Sequence, residues 1–201
     1  MESSTGSVEN PNKMFLERGL ADNDMRNSFV ASFVWMLDYY HQPHSLVGTL
    51  VNGWQLSPII RLHSGTPFTV TTGTDVNLDG VNNDRPNVVG NPILNPHRSR
   101  AAVSAQWFDP NAFVVPATGT EGLASRNLLD GPGYKDIDAA IFRDFSFFER
   151  YTLQFRGEFT NIFNMVSLSN PNASLSNAST VGTIRSASGM RQTQLGLRLT
   201  F

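Results

Sequence analysis

The side chains best suited to do chemistry lie between Asp75 and Asp84. Asp75-Val76-Asn77-Leu78-Asp79-Gly80 sets oxygen-bearing side chains at alternating positions ahead of a glycine, which is how an EF-hand-like calcium loop opens. The twelfth position of such a loop is Pro86, which has no carboxylate, so Asp84 must stand in for it. The candidate ligands for Ca2+ are therefore Asp75, Asn77, Asp79 and Asp84. The alternative is a plain loop whose Asp and Asn side chains bond their own backbone. His41 and His44 form H-x-x-H around Pro43, but a zinc site needs three or four converging ligands, and two histidines in a turn are expected to be solvated. Asp136, Asp138 and Asp144 alternate along one segment and resemble paired carboxylates; a polar wall carries such charges routinely. Ser64-Gly65-Thr66 lacks a paired histidine and an orienting acid. No catalytic set emerges, so the chain is not expected to be an enzyme, and Ca2+ is the one candidate cofactor.

These residues must be held by strands, because the apolar positions recur with period two. In the terminal QLGLRLTF, Leu195, Leu197, Leu199 and Phe201 fall on one face, and Gln194, Gly196, Arg198 and Thr200 on the other. The segment from Tyr151 to Thr160 repeats this: Tyr151, Leu153, Phe155, Gly157 and Phe159 oppose Thr152, Gln154, Arg156, Glu158 and Thr160. From Asp136 to Phe147 the alternation holds except at Phe142 and Arg143. Two further strands are predicted from Asn27 to Tyr40 and from Gly53 to Thr72, the latter running through a Gly65-Thr66-Pro67 break into Phe68 and Val70. The expected strands are therefore 27–40, 53–72, 135–147, 150–163 and 185–201.

The connections are short and long in turn. Phe147 to Tyr151 leaves room for a tight turn only, whereas the loops 73–134 and 164–184 are long and filled with Asn, Asp, Ser, Pro and Gly. Long strands that alternate apolar and polar, joined by short turns at one end and long loops at the other, are the pattern of a transmembrane β-barrel. Lipid then solvates the apolar face, and Gln154, Arg156, Glu158 and Arg198 become lumen-facing candidates. Trp35, Tyr39, Trp54, Phe145, Phe147, Phe148 and Tyr151 cluster near the short-turn end, where amphipathic rings would form a girdle at the membrane interface. A soluble β-sandwich, with its apolar faces buried against each other, is the alternative that alternation alone leaves open.

Composition agrees. Of 201 residues, 40% are hydrophobic and 16% charged, with a formal charge of −2 and no cysteine. That balance argues against nucleic-acid binding and excludes disulfides and thiolate metal sites. The stretch from Phe159 to Ile184 is free of charge but holds five Asn and five Ser, far from a membrane-spanning helix. The N-terminal MESSTGSVENPNK lacks the basic and apolar regions of a signal peptide.

Several motifs occur in order: NGWQLS, SGTPFT, NDRPNVVG, WFDPNAF, RNLLDGPG and LQFRGEFTNIFN. Together they resemble the C-terminal part of the barrel of TonB-dependent outer-membrane receptors, specifically the Oar-like group whose full-length members carry a carboxypeptidase-regulatory-like domain. The resemblance spans roughly residues 20 to 201 and implies a cell outer membrane location of the Gram-negative type. It also implies an all-β fold, a barrel of about 22 strands closed around a plug, of which an antiparallel meander of five strands is about a quarter. On this reading 1–26 is an irregular extracellular loop remnant and 27–201 is barrel with long extracellular loops. The implied function is uptake or translocation of an unknown ligand, energised by the TonB complex through N-terminal parts lying outside these residues. A non-transporting surface or adhesion protein is the competing function. The remaining implied partners are outer-membrane lipid and the barrel-assembly machinery. The tail matches the family's insertion signal for that machinery at Gln194, Gly196, Leu199 and Phe201.

Overall fold

The computed structural model describes residues 8–41, 45–147 and 150–201. The chain divides into two compact units, one built from 28–63, 134–167 and 189–201, the other from 1–27, 64–133 and 168–188.

The first unit is one antiparallel sheet. Its strands are β1 (Ser28–Ser32), β2 (Trp35–Leu37), β3 (Trp54–His63), β4 (Tyr134–Phe147), β5 (Tyr151–Thr160) and β6 (Gln192–Thr200). They pair in the order β1/β2, β3, β4, β5, β6, so sequence neighbours are spatial neighbours throughout. The expected strand at 27–40 is thus two pieces, and the register explains the gap. Ser32 sits opposite Ile59 and Trp35 opposite Leu56, so the register runs unbroken and places Phe33 against Pro58. The Phe33 amide donates to the Pro58 carbonyl at 3.4 Å, but proline has no N–H to return the bond. The ladder lapses for that residue pair and resumes.

Three other expected strands are shorter than their sequence pattern. The 53–72 segment stops at His63, and Pro67–Phe68 pairs instead with Leu129–Asp130 in the second unit. Gly65 permits this break: a side chain there would collide with the Gly131 backbone. The 150–163 segment ends at Thr160, where Asn161 turns into the left-handed region at φ 49°. The 185–201 segment begins as a strand at Gln192, after Gly189 at φ 89°.

Cross-strand partners share a face. One face carries Phe29, Ala31, Trp35 and Leu37, then Trp54, Leu56, Ile60 and Leu62, then Ile137, Ala139, Ile141 and Phe145, then Leu153, Phe155 and Phe159, and finally Leu195, Leu197 and Leu199. None of these side chains is buried. A short helix α1 (Leu46–Val51) joins β2 to β3.

The second unit holds all of the buried apolar core found among the described residues. Phe68, Val70, Phe108, Ala112, Phe113 and Leu129 form one cluster, with Trp107, Ala173, Leu175 and Val181 packed against it. Phe108 is the hub, edge-on to Phe113 with ring centroids 5.8 Å apart and 5.9 Å from Phe68. The N-terminal stretch is tied in by charge. Arg85, itself buried, meets the carboxylates of Glu9 at 2.5 Å and Glu17 at 3.0 Å, while Arg126 reaches Glu17 and Asp22. Of the stretch 1–26, the described residues 8–26 therefore fold largely together with the loops 73–134 and 164–184 as a structured body, with α2 (Arg100–Ala105) part of it.

Candidate functional site

The polar face of the sheet gathers the charged residues. Register places Gln154 beside Arg198, Arg156 beside Gly196 and Glu158 beside Gln194, so all four lumen-facing candidates share one face. Gln154 donates to the Asp144 carboxylate at 2.9 Å, and Arg156 pairs with Glu158. The same Arg156 guanidinium lies 5.1 Å from the centroid of the Phe142 ring, which accounts for an aromatic residue on a polar face: a cation covers it.

Asp136 and Asp138 lie on this face too, opposite Arg61 and Ile59. Arg61 bridges them, with Nη2 2.6 Å from Asp136 and also bonded to Asp138. Asp138 accepts a further bond from the Asn161 amide at 2.9 Å. These carboxylates are held by a cation and by backbone, so they act as a fixed, charged wall. Arg61 and the aspartates lie about 75 residues apart in the chain, and their adjacency follows once β3 and β4 are paired as neighbours in a meander.

Arg143 falls on the apolar face. It lies over Trp54 and Phe145, 5.6 and 4.6 Å from their centroids, and donates to the Thr49 and Leu50 carbonyls at the end of α1. A helix C-terminus is the negative end of its dipole, so the guanidinium is both stacked and compensated. The break in alternation at Phe142 and Arg143 is thereby resolved: the strand keeps its period, and each exceptional side chain has a specific partner.

The aromatic residues do gather at the short-turn end. Trp54 stacks edge-on with Phe145 and Phe155 at 6.2 and 5.7 Å, and Trp35 with Tyr39 at 6.1 Å. Phe147 pairs with Tyr151 across the turn; Phe148 lies outside the described residues. His44 also lies outside them, and the His41 ring contacts the Tyr39 carbonyl.

Each of Asp75, Asn77, Asp79 and Asp84 accepts from at least one backbone amide of its own loop. Asp75 accepts from the amides of Asp79 and Gly80 at 3.1 and 2.9 Å, Asn77 from Asp79 at 3.0 Å, and Asp79 from Val81 at 2.9 Å. Asp84 is buried and accepts from the amides of Val76 and Asn77. This is the Asx-turn arrangement, and among the described residues no group of three or more His, Asp or Glu side chains is placed to hold a metal ion.

At the tail, Gln194 and Gly196 lie on the polar face and Leu199 on the apolar face, with Phe201 just beyond the strand and almost fully exposed. Among the described residues β6 pairs on one side only, with β5, and β1 and β2 only with β3, so the sheet has two open edges there.

A sheet face whose apolar side chains all stay unburied needs a solvent other than water, and residues 1–194 match the family described as the outer membrane beta barrel domain. The chain belongs to that family. It is an outer-membrane protein, and an uncovered apolar sheet face is consistent with association with outer-membrane lipid. This excludes the soluble sandwich, in which that face would be buried. No curated protein and no solved structure matches the chain.

Proposed function

We propose that the sheet is the C-terminal segment of a TonB-dependent receptor barrel of the Oar-like group, which takes up or translocates a ligand across the outer membrane. The observation that supports this most directly is the pairing of an uncovered apolar face with a polar face of compensated charges, open at both edges: five strand positions, with β1 and β2 sharing one, that need further strands to close. Bacterial single-chain barrels have at least about eight. The ordered motifs from NGWQLS to LQFRGEFTNIFN give the group. On this reading the polar face lines the lumen, the long loops are extracellular, and β6 ends in the signal read by the assembly machinery.

The experiment is uptake by cells carrying the intact barrel, with and without a functional TonB complex. Loss of uptake with retained surface binding when TonB is removed is the expected result. Unchanged uptake without TonB refutes the transport reading. A compact loop body is also what a surface adhesion protein would carry, and that reading predicts ligand binding with no plug domain encoded upstream. Deleting Phe201 from the intact barrel lowers assembly into the outer membrane; full assembly refutes its part in the insertion signal.

A further inference from the structure

The second unit contains a cavity of about 320 Å³ that neither the strand pattern nor the barrel reading uses. It falls within the size range of small-molecule sites, ~300–1,000 Å³. Phe108 closes it from the core side, Leu94, Val103 and Trp107 wall it, and Ile93 and Leu128 stand at 71% and 38% exposure. The walls are fixed in advance. Ile93 bridges to Phe108 as an isolated β pair, the Asp109 amide donates to the Pro92 carbonyl at 2.9 Å, and the Trp107 indole donates to the Asp130 carbonyl at 2.9 Å. A pre-formed wall spares a ligand the cost of ordering it.

Two charged side chains reach the cavity, and they differ in what they have left to offer. Arg98 donates to the carbonyls of Asn95, Ala102, Gln106 and Trp107 at 2.8, 3.3, 2.7 and 3.4 Å. Its donors are spent on closing the C-terminal end of α2, whose carbonyl dipoles offset its charge. The Asp130 carboxylate is exposed and enters no hydrogen bond or ion pair among the described residues. An apolar hollow with one uncommitted anion fits an apolar group that carries a cation.

We propose that this cavity is a binding site for a small hydrophobic cation, an aliphatic or aromatic body bearing an ammonium or guanidinium group, with Asp130 pairing the charge and Trp107 and Leu128 covering the apolar part. The site requires only that the loop unit face water. It does not depend on whether binding leads to transport, so equilibrium binding tests it separately from TonB-coupled uptake.

The test uses the intact barrel in lipid nanodiscs, with dansylcadaverine as a cationic apolar probe and dansylglycine as its anionic counterpart, both read by fluorescence anisotropy. Saturable binding of dansylcadaverine is expected, about tenfold tighter than dansylglycine, as one charge pair at partial exposure allows. Asp130→Asn removes that preference while the apolar probes still bind. Val103→Trp fills the hollow and abolishes binding of both. Leu128→Glu, a rim change that leaves the core intact, weakens dansylglycine severalfold more than dansylcadaverine. Equal affinity of the wild-type chain for the two probes, binding that does not saturate, or binding that survives both Val103→Trp and Leu128→Glu overturns the proposal.

Discussion

Replacing Leu197 with arginine measures what solvates the apolar face. Leu197 sits near the middle of β6, opposite Phe155, and is 70% exposed. In lipid, that 70% exposed share of a leucine side chain is apolar contact worth about 1–2 kcal/mol, taken from ~1.5–3 for full transfer. A charge near the bilayer midplane adds roughly 2–4 kcal/mol. Leu197→Arg should therefore destabilise the intact barrel by about 3–6 kcal/mol. Gln154→Arg, on the opposite face beside Asp144 and Arg198, should stay within about 1 kcal/mol, as for an exposed charge. Guanidinium titration of the barrel in bilayers, with unfolding followed by tryptophan fluorescence, gives both values. In water the order would vanish, because an exposed leucine replaced by arginine changes stability by only about 0.5 kcal/mol. Equal effects at the two positions would therefore refute the assignment of faces.

Three further outcomes concern the loop unit. Phe108→Ala, at the hub of its core, should cost about 3–5 kcal/mol, seen as early proteolysis of the loops while the strands stay protected; unchanged proteolysis refutes the hub role. Gly122→Ala drives a methyl into the Arg85 carbonyl and should cost about 1–3 kcal/mol, read as a lower midpoint for loop unfolding; an unshifted midpoint shows the contact is not close. The pH dependence turns on Glu9 and Glu121. Burial pushes the Glu9 carboxyl above its ordinary 4.5, so its contribution to stability falls as pH rises from 4.5 through the raised value. Hydrogen bonds from Lys13 and then Asn10 hold Glu121 below 4.5, so its contribution is full above 4.5 and lost as pH falls through the lowered value. Glu9→Gln should flatten the decline above pH 4.5 and leave the acid limb in place; a curve unchanged in shape refutes it.

The sheet was legible because period two is a local property: Tyr151 to Thr160 and Gln194 to Thr200 declare their faces residue by residue. The ends of strands were less so. Phe68 and Val70 continue the apolar rhythm of β3, yet they serve the core around Phe108, because Gly65 lets the chain leave the sheet where another side chain could not fit. The loop unit was the least legible part. Its contacts join Glu9 to Arg85, Asn127 to Leu20 and Trp107 to Gly182, pairs far apart in the chain with no repeat to announce them. The Asp75 motif is a local pattern that two chemistries share; in the structure Asp75, Asn77 and Asp79 accept from amides of the loop.

Pro58 has a mechanical consequence. The Phe33 carbonyl receives no ladder bond from β3, and in hydrocarbon such a group has no water to turn to. The seam between the first strand and the rest of the sheet is weakest at its centre rather than at its ends. Amides flanking that point, Phe33 among them, should exchange their hydrogens before those of the β4–β5 and β5–β6 ladders. A sheet of this kind opens from within, at a position set by one ring.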